Sequence, residues 1–485
     1  MAREQGDHPL LDSGDRVRDG RLRNAQDTVS GSPVTEMIGV LGLARSGMAA
    51  SRLALSRGAS VYASDVSSAP AAVEAAAKLR ELGVEVDVGG HDVAKLARCS
   101  RIVLSPGIPP GAPILQVPEL AEIPIVPELE YAYEALTGPV VAVTGTNGKT
   151  TVTALITHVL RVAGRRAESG GNIGTALSEL ALRDSQPEVS VVEASSFQLG
   201  RTRDFAPSIG VLTNLAPDHL DWYATVAEYY ADKAKLFQNS TEESRWVLNG
   251  EDEESYRLAE EAKGTRYCFR AESHPAQGEL GGYLSEDGWL TLRLEAGEDR
   301  IVAASALQIL GAHNIANSLA AAIVARLLGS AIEGIAAGLT SFQPMKHRVE
   351  PVGEHGGVLW VNDSKATNIA STRVGIRSLD RPTILLLGGR HKGEAYAELI
   401  PDLKGRVRQV IAFGEAALQI EEALGGAVPV ERIDGDFATV LRRASHLARP
   451  GDAVLLSPAC SSYDMFRDYE DRGQQFRRIV TEELG

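Results

Sequence analysis

A three-domain α/β protein with mainly parallel sheets is the fold this sequence predicts, on three observations. The chain has 485 residues, too many for one ordinary core and enough for roughly three domains. Short apolar runs of strand length alternate with longer helical patterns, as in parallel sheets covered by helices. Two of those runs, Ile38 to Leu41 and Val140 to Val143, lead straight into glycine-punctuated turns that open helices. The expected parts are a tail of residues 1–36, a dinucleotide-fold-like N-terminal domain over 37–136, a central phosphate-loop domain over 137–344, and a C-terminal parallel-sheet α/β domain over 345–485.

The tail is rich in Asp, Arg, Ser and Gly and has no apolar stretch of signal-peptide type, so disorder is expected there. Met37 stands immediately before the first strand, and translation starting there is a hypothesis. An intact mass with Met1 or Ala2 at the native terminus would refute it. From Met37 the pattern runs strand, Gly42-Leu43-Ala44-Arg45-Ser46-Gly47, helix to about Arg57, then strand Ser60 to Ser64 ending in Asp65. This is a βαβ opening with an acid about 20 residues on, the distance of a ribose contact. Ala44 replaces the second glycine of the fingerprint, which weakens the case for close pyrophosphate approach. A further strand, Ile102 to Leu104, ends in Ser105-Pro106-Gly107.

The central part opens with Val140-Val141-Ala142-Val143 and then Thr144-Gly145-Thr146-Asn147-Gly148-Lys149-Thr150-Thr151. Four apolar residues suit a buried parallel strand. The turn after it can aim backbone amides at phosphate, aided by the dipole of the following helix. Lys149 would reach the β- and γ-phosphates of ATP and the Thr150 hydroxyl would sit on Mg²⁺. The first glycine of the strict pattern falls at Val143, so the loop is a shortened variant. Val189 to Val192 ends in Glu193, and Ile209 to Thr213 leads to Asn214 and Asp218-His219-Leu220-Asp221. Both place polar groups at carboxyl ends of buried strands, where open α/β sheets bind ligands. Shorter, polar-interrupted strands follow between about Trp246 and Leu310, then an alanine-rich helix from Asn314 to Leu328.

A loop around Gln343 to Arg348 leads into the third part, with strands Val358 to Val361, Thr383 to Leu387, Val410 to Phe413 and Ala453 to Leu456 and helices between them. No solenoid repeat or coiled-coil heptad is found. The net charge of −15, from 64 acidic and 49 basic residues, argues against a nucleic-acid surface. No apolar run approaches the ~18 residues of a membrane helix. Cys99, Cys268 and Cys460 match no zinc or disulfide spacing, so a reducing, cytoplasmic setting is the simplest reading.

With these pieces in order, the chain resembles the MurD family of Mur ligases from Met37 to Gly485. Besides the phosphate loop, the resemblance rests on Gly171-Asn172-Ile173-Gly174, Glu193-Ala194-Ser195-Ser196-Phe197-Gln198-Leu199, Asn362-Asp363-Ser364-Lys365-Ala366-Thr367-Asn368 and Ser457-Pro458-Ala459-Cys460-Ser461-Ser462. It implies an ATP-dependent amide ligase that adds D-glutamate to UDP-N-acetylmuramoyl-L-alanine through an acyl phosphate, in peptidoglycan precursor synthesis. Small-molecule substrates and a monomer are expected, with ATP and two Mg²⁺ ions as cofactors implied by the resemblance. The Asp-Asn-Pro-Arg string of the diaminopimelate-adding relatives and the His-His-Pro string of the alanine-adding ones do not occur. Folylpolyglutamate synthetase, whose loop is similar, lacks the leading domain. An NAD-dependent oxidoreductase is disfavoured by Ala44, and an inactive binding protein by retention of Lys149, Glu193, His219 and Lys233.

The resemblance also implies residue roles. Thr150, Glu193, His219 and a carbamate formed from CO₂ on Lys233 would hold metal. Lys235 is a rival for Lys233, and a solvated helix face balancing Asp232 is the plainer reading of both. His219 equally fits a bond within its own loop. Asn172 would lie near the reacting carboxylate, though its segment also reads as an ordinary turn. His313, Asn314 and Asn317 would meet adenine, with helix capping the alternative for Asn314. Arg348, Asp363 and Lys365 would contact the nucleotide. Thr367, Lys392, Ser462 and Tyr469 would form the D-glutamate pocket, with His391 standing where many relatives carry an acid. Arg45, Ser46, Asp65 and Ser105 would hold the UDP moiety.

Overall fold

The computed structural model describes residues 36–172, 174–219 and 222–484. The expected tail, Glu36 apart, lies outside these residues, as do Ile173, Leu220, Asp221 and Gly485.

Three sheets organise the chain. The first is fully parallel, in the order Glu85–Val88, Ser60–Asp65, Met37–Leu41, Arg101–Leu104, Ile125–Pro127. Strand order reverses between Met37–Leu41 and Arg101–Leu104, which opens a crevice at their carboxyl ends. The helix Arg45–Ser56 starts there without a side-chain cap. Gly47 lets that helix close on the turn, since a Cβ at this position would meet the Gly42 carbonyl oxygen at 1.7 Å. The fingerprint glycine thus serves close packing even though Ala44 has replaced its neighbour.

The second sheet has nine strands. Val140–Thr144 lies between Val189–Glu193 and Ile209–Leu212 and is wholly buried, which explains its valine-rich run. Pairing stays parallel out to Gly281–Leu284, then turns antiparallel through Trp289–Leu294 and Gly297–Ala303. These last strands are the polar-interrupted region of the sequence. The alanine-rich helix begins earlier than expected, at Ala312, and ends at Leu327. Its small side chains let it pack closely against both the sheet and the helix Lys149–Val162.

The third sheet runs Glu350–His355, Val358–Asn362, Ala453–Leu456, Thr383–Gly388, Val407–Phe413, Val430–Ile433. It is parallel except for the edge strand Glu350–His355, where Pro351 costs no central ladder bond. Its two faces carry separate apolar cores, as expected of a sheet covered on both sides. No helix among the described residues is long and apolar enough to cross a membrane.

Candidate active site

The phosphate loop leaves the central strand at Gly145, whose φ is 141°. A Cβ there would lie 2.0 Å from Thr213 Oγ1, so glycine is required on both backbone and packing grounds. Gly148, with φ 83°, precedes the helix Lys149–Val162. Asn214 clamps the turn, accepting from the Asn147 amide at 3.0 Å and donating to its carbonyl at 3.1 Å. The Thr146 hydroxyl donates to Ala216 O and lies 3.3 Å from the Tyr229 hydroxyl. Thr151 is buried one turn into the helix.

Lys149 curls back over this loop, donating to Gly145 O at 2.9 Å and Thr146 O at 2.7 Å. Lys233 donates to the same Gly145 carbonyl at 2.8 Å and lies 4.5 Å from the Tyr229 ring centroid. Its 1% exposure overturns the solvated-helix reading, and Asp232 is engaged instead by the Tyr223 hydroxyl at 2.8 Å. Lys235 begins the next turn and is only partly buried. Burial, then the neighbouring Lys149 charge, holds the Lys233 ammonium well below its ordinary pKa. Burial also lowers that of Lys149, opposed by Glu193 and Asp218.

Glu193 closes its strand beneath these cations. One carboxylate oxygen accepts from Asn172 Nδ2 at 3.0 Å, which ties the Gly171-Asn172 turn to the site. The other is buried with no hydrogen-bond partner among the described residues. An orphaned carboxylate oxygen near two lysines fits a hard divalent cation and anionic phosphate. No group of three or more His, Cys, Asp or Glu converges among the described residues. A Mg²⁺ held here would therefore take its remaining oxygens from Thr150, water and phosphate, as Mg²⁺ ordinarily does. His219 adopts φ 55°, with its ring 5.3 Å from that of Phe197 and its side chain 45% exposed. Its backbone amide donates to Asp218 Oδ1, so the loop-bonding reading and an available imidazole coexist.

The C-terminal part meets this loop through Arg348, which donates to Thr150 Oγ1 at 3.1 Å. Arg348 rides a turn whose flanking residues, His347 and Val349, have φ 64° and 43°. Asp363 accepts from Val349 N at 3.2 Å and Ser457 Oγ at 2.7 Å. Burial pushes its carboxyl up to about 7, against the pull of those donors and Arg348. Lys365 is pushed down to about 8 by burial and the Arg348 charge, with Tyr469 beneath it at 5.2 Å.

A cleft of about 730 Å³ runs between the two parts, lined by Asn147, Asn314, Asn317, Arg348, Asp363 and Lys365 among others. Gly311 caps the alanine-rich helix without a side-chain bond, so Asn314 is not its cap. Asn314 Nδ2 instead donates to Leu310 O at 2.7 Å, and Asn317 donates to Asn314 Oδ1 at 3.1 Å. His313 is partly buried, and desolvation pushes it down to about 4, so it is neutral at pH 7. Thr213, at the end of a strand the sequence had marked, also belongs to the neighbourhood, as do Tyr229 and Glu251, to which the sequence assigned no role.

Thr367, Lys392 and Ser462 do not line this cleft. They follow Val358–Asn362, Thr383–Gly388 and Ala453–Leu456, strands adjacent in the third sheet, which gathers their loops at one edge. Arg390 and Ser461 bridge two of these loops through paired backbone bonds of 2.9 and 3.1 Å. His391 pairs with the Tyr396 hydroxyl at 3.0 Å, which in turn meets Cys460 Sγ at 3.0 Å. A local partner thus replaces the acid expected at 391.

Arg45, Ser46, Asp65 and Ser105 collect at the carboxyl edge of the first sheet. Asp65 already accepts from the amides of Leu43 and Ser67, both at 2.8 Å. Ser105 Oγ donates to Gly42 O at 3.2 Å. Both therefore fasten the turn, whatever else they bind.

Known proteins share this arrangement. Residues 36–127 match the MurD-like N-terminal domain of Mur ligases. Residues 143–325 match the Mur ligase middle domain and 347–460 the Mur ligase glutamate ligase domain. A UDP-N-acetylmuramoylalanine–D-glutamate ligase of Salinibacter ruber is 42% identical over 91% of this chain and 96% of its own. That of Anaeromyxobacter dehalogenans is 41% identical over 92% and 97%. Among solved structures, a pseudomurein peptide ligase type C from Methanothermus fervidus has a TM-score of 0.58 at 18% identity, covering 93% of this chain and all of its own. MurF from Acinetobacter baumannii has a TM-score of 0.54 at 16% identity, covering 81% and 87%. These two establish a shared fold, and together with the sequence matches they place the chain in the MurD family of Mur ligases.

Proposed function

We propose that this enzyme joins the carboxyl group of UDP-N-acetylmuramoyl-L-alanine to the amine of D-glutamate at the expense of ATP, a step of peptidoglycan precursor synthesis. The observation that carries the reading in this chain is the convergence of Lys149, Lys233 and Arg348 on the phosphate loop, with the orphaned Glu193 oxygen close by, next to a cleft that Arg348 and Lys365 line. Such chemistry needs positioning and charge neutralisation more than an enzyme nucleophile.

The substrate carboxylate attacks the γ-phosphorus and the bond to ADP breaks, giving an acyl phosphate. The amine of D-glutamate then attacks the acyl carbon, phosphate departs and the amine loses a proton. Lys149 and Arg348 exchange their loop carbonyl and hydroxyl partners for phosphate oxygens, and the amides of residues 145–151 cradle the chain of phosphates. Asn172 orients the reacting carboxylate. Thr150, Glu193, His219 and Lys233 as its carbamate would hold two Mg²⁺ ions, which would supply charge neutralisation at the phosphate oxygens. His313, Asn314 and Asn317 receive adenine, with Asp363 and Lys365 closing on the nucleotide from the other side. Arg45, Ser46, Asp65 and Ser105 hold the UDP end, while Thr367, Lys392, Ser462 and Tyr469 hold D-glutamate. The three parts correspond to residues 37–136, 137–344 and 345–485, and the enzyme works as a cytoplasmic monomer on small molecules.

The test is phosphate release from ATP in the presence of UDP-N-acetylmuramoyl-L-alanine with D-glutamate, L-glutamate, L-alanine, meso-diaminopimelate or no amino acid. Stimulation by D-glutamate alone is expected. Stimulation by a different amino acid moves the chain to a sister activity, and none at all refutes catalysis.

A further inference from the structure

Arg472 is among the largest fully buried side chains of the protein, at 0% exposure. It lies in the first turns of the helix Tyr469–Glu482, the end where the helix dipole disfavours a cation. Its hydrogen bonds go to one hydroxyl and four carbonyls, with no carboxylate among them. Nε donates to Ser364 Oγ at 3.0 Å and Nη2 to Ser364 O at 2.8 Å and Cys460 O at 3.2 Å. Nη1 reaches Gly388 O at 3.4 Å and Ser461 O at 3.5 Å. Burying a charge without a counter-ion is costly, and apolar residues of similar volume often replace buried ions without loss of stability. What an apolar side chain cannot do is bind the backbones of three loops at once.

Those loops are the ones that carry Thr367, Lys392 and Ser462. Ser364 leads into Thr367, Gly388 into Lys392, and Cys460-Ser461 into Ser462. A pocket that tells one enantiomer from the other needs at least three contacts in fixed relative positions. Here each contact stands on a different loop, so discrimination depends on the spacing between loops. The Arg390 and Ser461 backbone bridge ties two of them, and Arg472 reaches all three. Gly389 leaves it room, since a Cβ there would lie 3.1 Å from Arg472 Nη1.

We infer that Arg472 is the positioning residue that sets enantiomer discrimination, by holding the three loops of the amino-acid pocket in register. This rests on the reading of Thr367, Lys392 and Ser462 as that pocket. Lysine in its place keeps the charge but has no planar fork to bridge three loops.

The experiment compares D- and L-glutamate in phosphate release by the wild type and Arg472→Lys, with full titrations of each glutamate and of ATP. The expected result is a KM for D-glutamate raised at least tenfold, a D-to-L ratio of kcat/KM lowered at least tenfold, and a KM for ATP within threefold of wild type. A fall in kcat with the D-to-L ratio unchanged within twofold overturns the inference, because a merely structural arginine changes the active fraction and not the selectivity. If Arg472→Lys does not fold, Ser364→Ala removes the Nε acceptor, together with the Ser364 Oγ bond to Tyr469 O, and is expected to lower the ratio at least threefold; an unchanged ratio there overturns the inference equally. Failure of the underlying reading is seen separately, as a wild type that D-glutamate does not stimulate.

Discussion

Lys233 and Lys149 share one acceptor, the Gly145 carbonyl, through bonds of 2.8 and 2.9 Å. Their nitrogens therefore lie no more than about 5.7 Å apart, the two bond lengths end to end. Two positive charges at that distance repel by about 3 kcal/mol at an effective dielectric of ~20, within a site both side chains find already desolvated. Capture of CO₂ by the neutral Lys233 amine would turn this repulsion into attraction and create an oxygen ligand for metal. Lys233→Ala should therefore lower D-glutamate-dependent phosphate release by about 10²–10³-fold, the scale of losing one electrostatic group at a reacting centre. Removing the repulsion offsets the packing lost, so the melting temperature should stay within a few degrees of wild type. Short carboxylates such as formate fit the space vacated by the side chain and should restore activity at least tenfold. The assay is the formate dependence of phosphate release in the variant, beside a thermal melt. Full activity in Lys233→Ala would refute the carbamate. Loss of activity that formate leaves untouched, in a folded variant, would mean that the ammonium itself is what the site uses.

Glu193→Gln keeps the shape and the Asn172 contact but removes charge from the orphaned oxygen, and should raise the Mg²⁺ concentration for half-maximal activity at least tenfold; an unchanged Mg²⁺ titration would exclude Glu193 as a ligand. Asp363 has a folded pKa raised from 3.8 to about 7, so it binds its proton more tightly in the folded protein than in the unfolded one. The stability it contributes is full below pH ~4 and is lost as pH rises through about 7, up to about 4 kcal/mol in all. Asp363→Asn should flatten that decline in denaturant midpoints measured between pH 4 and 7.5, and an unaltered slope would assign the pH dependence elsewhere. Gly145→Ala sets a methyl 2.0 Å from Thr213 Oγ1 and should raise the KM for ATP at least tenfold, with about 1–3 kcal/mol of overpacking cost. Adding Thr213→Ala should recover part of both, and strict additivity in that double-mutant cycle would disprove the contact.

Much of this site was legible in the sequence because glycines and buried strands leave local signatures. Gly145 and Gly148 need positive φ, Val140–Thr144 needs two buried faces, and Glu193 ends a strand of the same kind. Four strands of the third sheet were equally readable, although its two edges, Glu350–His355 and Val430–Ile433, were not, because a proline-containing strand and a short strand interrupted by Glu431 and Arg432 have little apolar periodicity. The turn holding Arg348 gave no local sign at all. His347 and Val349 adopt left-handed conformations that neither prefers, and only tertiary packing can impose them. Glu251 likewise reaches the cleft by where its strand ends in the sheet, which no short segment encodes.

One signal was present in the sequence and carries further than the motifs. Tyr229, Lys233 and Phe237 recur at a four-residue spacing, as do Arg472, Phe476 and Val480, and residues so spaced share a helix face. Each pattern puts a cation where an apolar residue belongs, and in both cases that residue is buried at 1% or less. The same test separates Lys233 from Lys235, which falls off the stripe and is only partly buried. A cation on an apolar stripe must repay its desolvation, and in this chain each does so against backbone carbonyls of loops that meet at the site: Gly145 for Lys233, and the loops of Ser364, Gly388 and Cys460 for Arg472. On the proposed reading the two charges act on different halves of the reaction, one at the phosphate loop and one behind the proposed amino-acid pocket. A defect in Lys233 should then appear in single turnovers of acyl phosphate formation, while a defect in Arg472 should appear only when the amine is supplied.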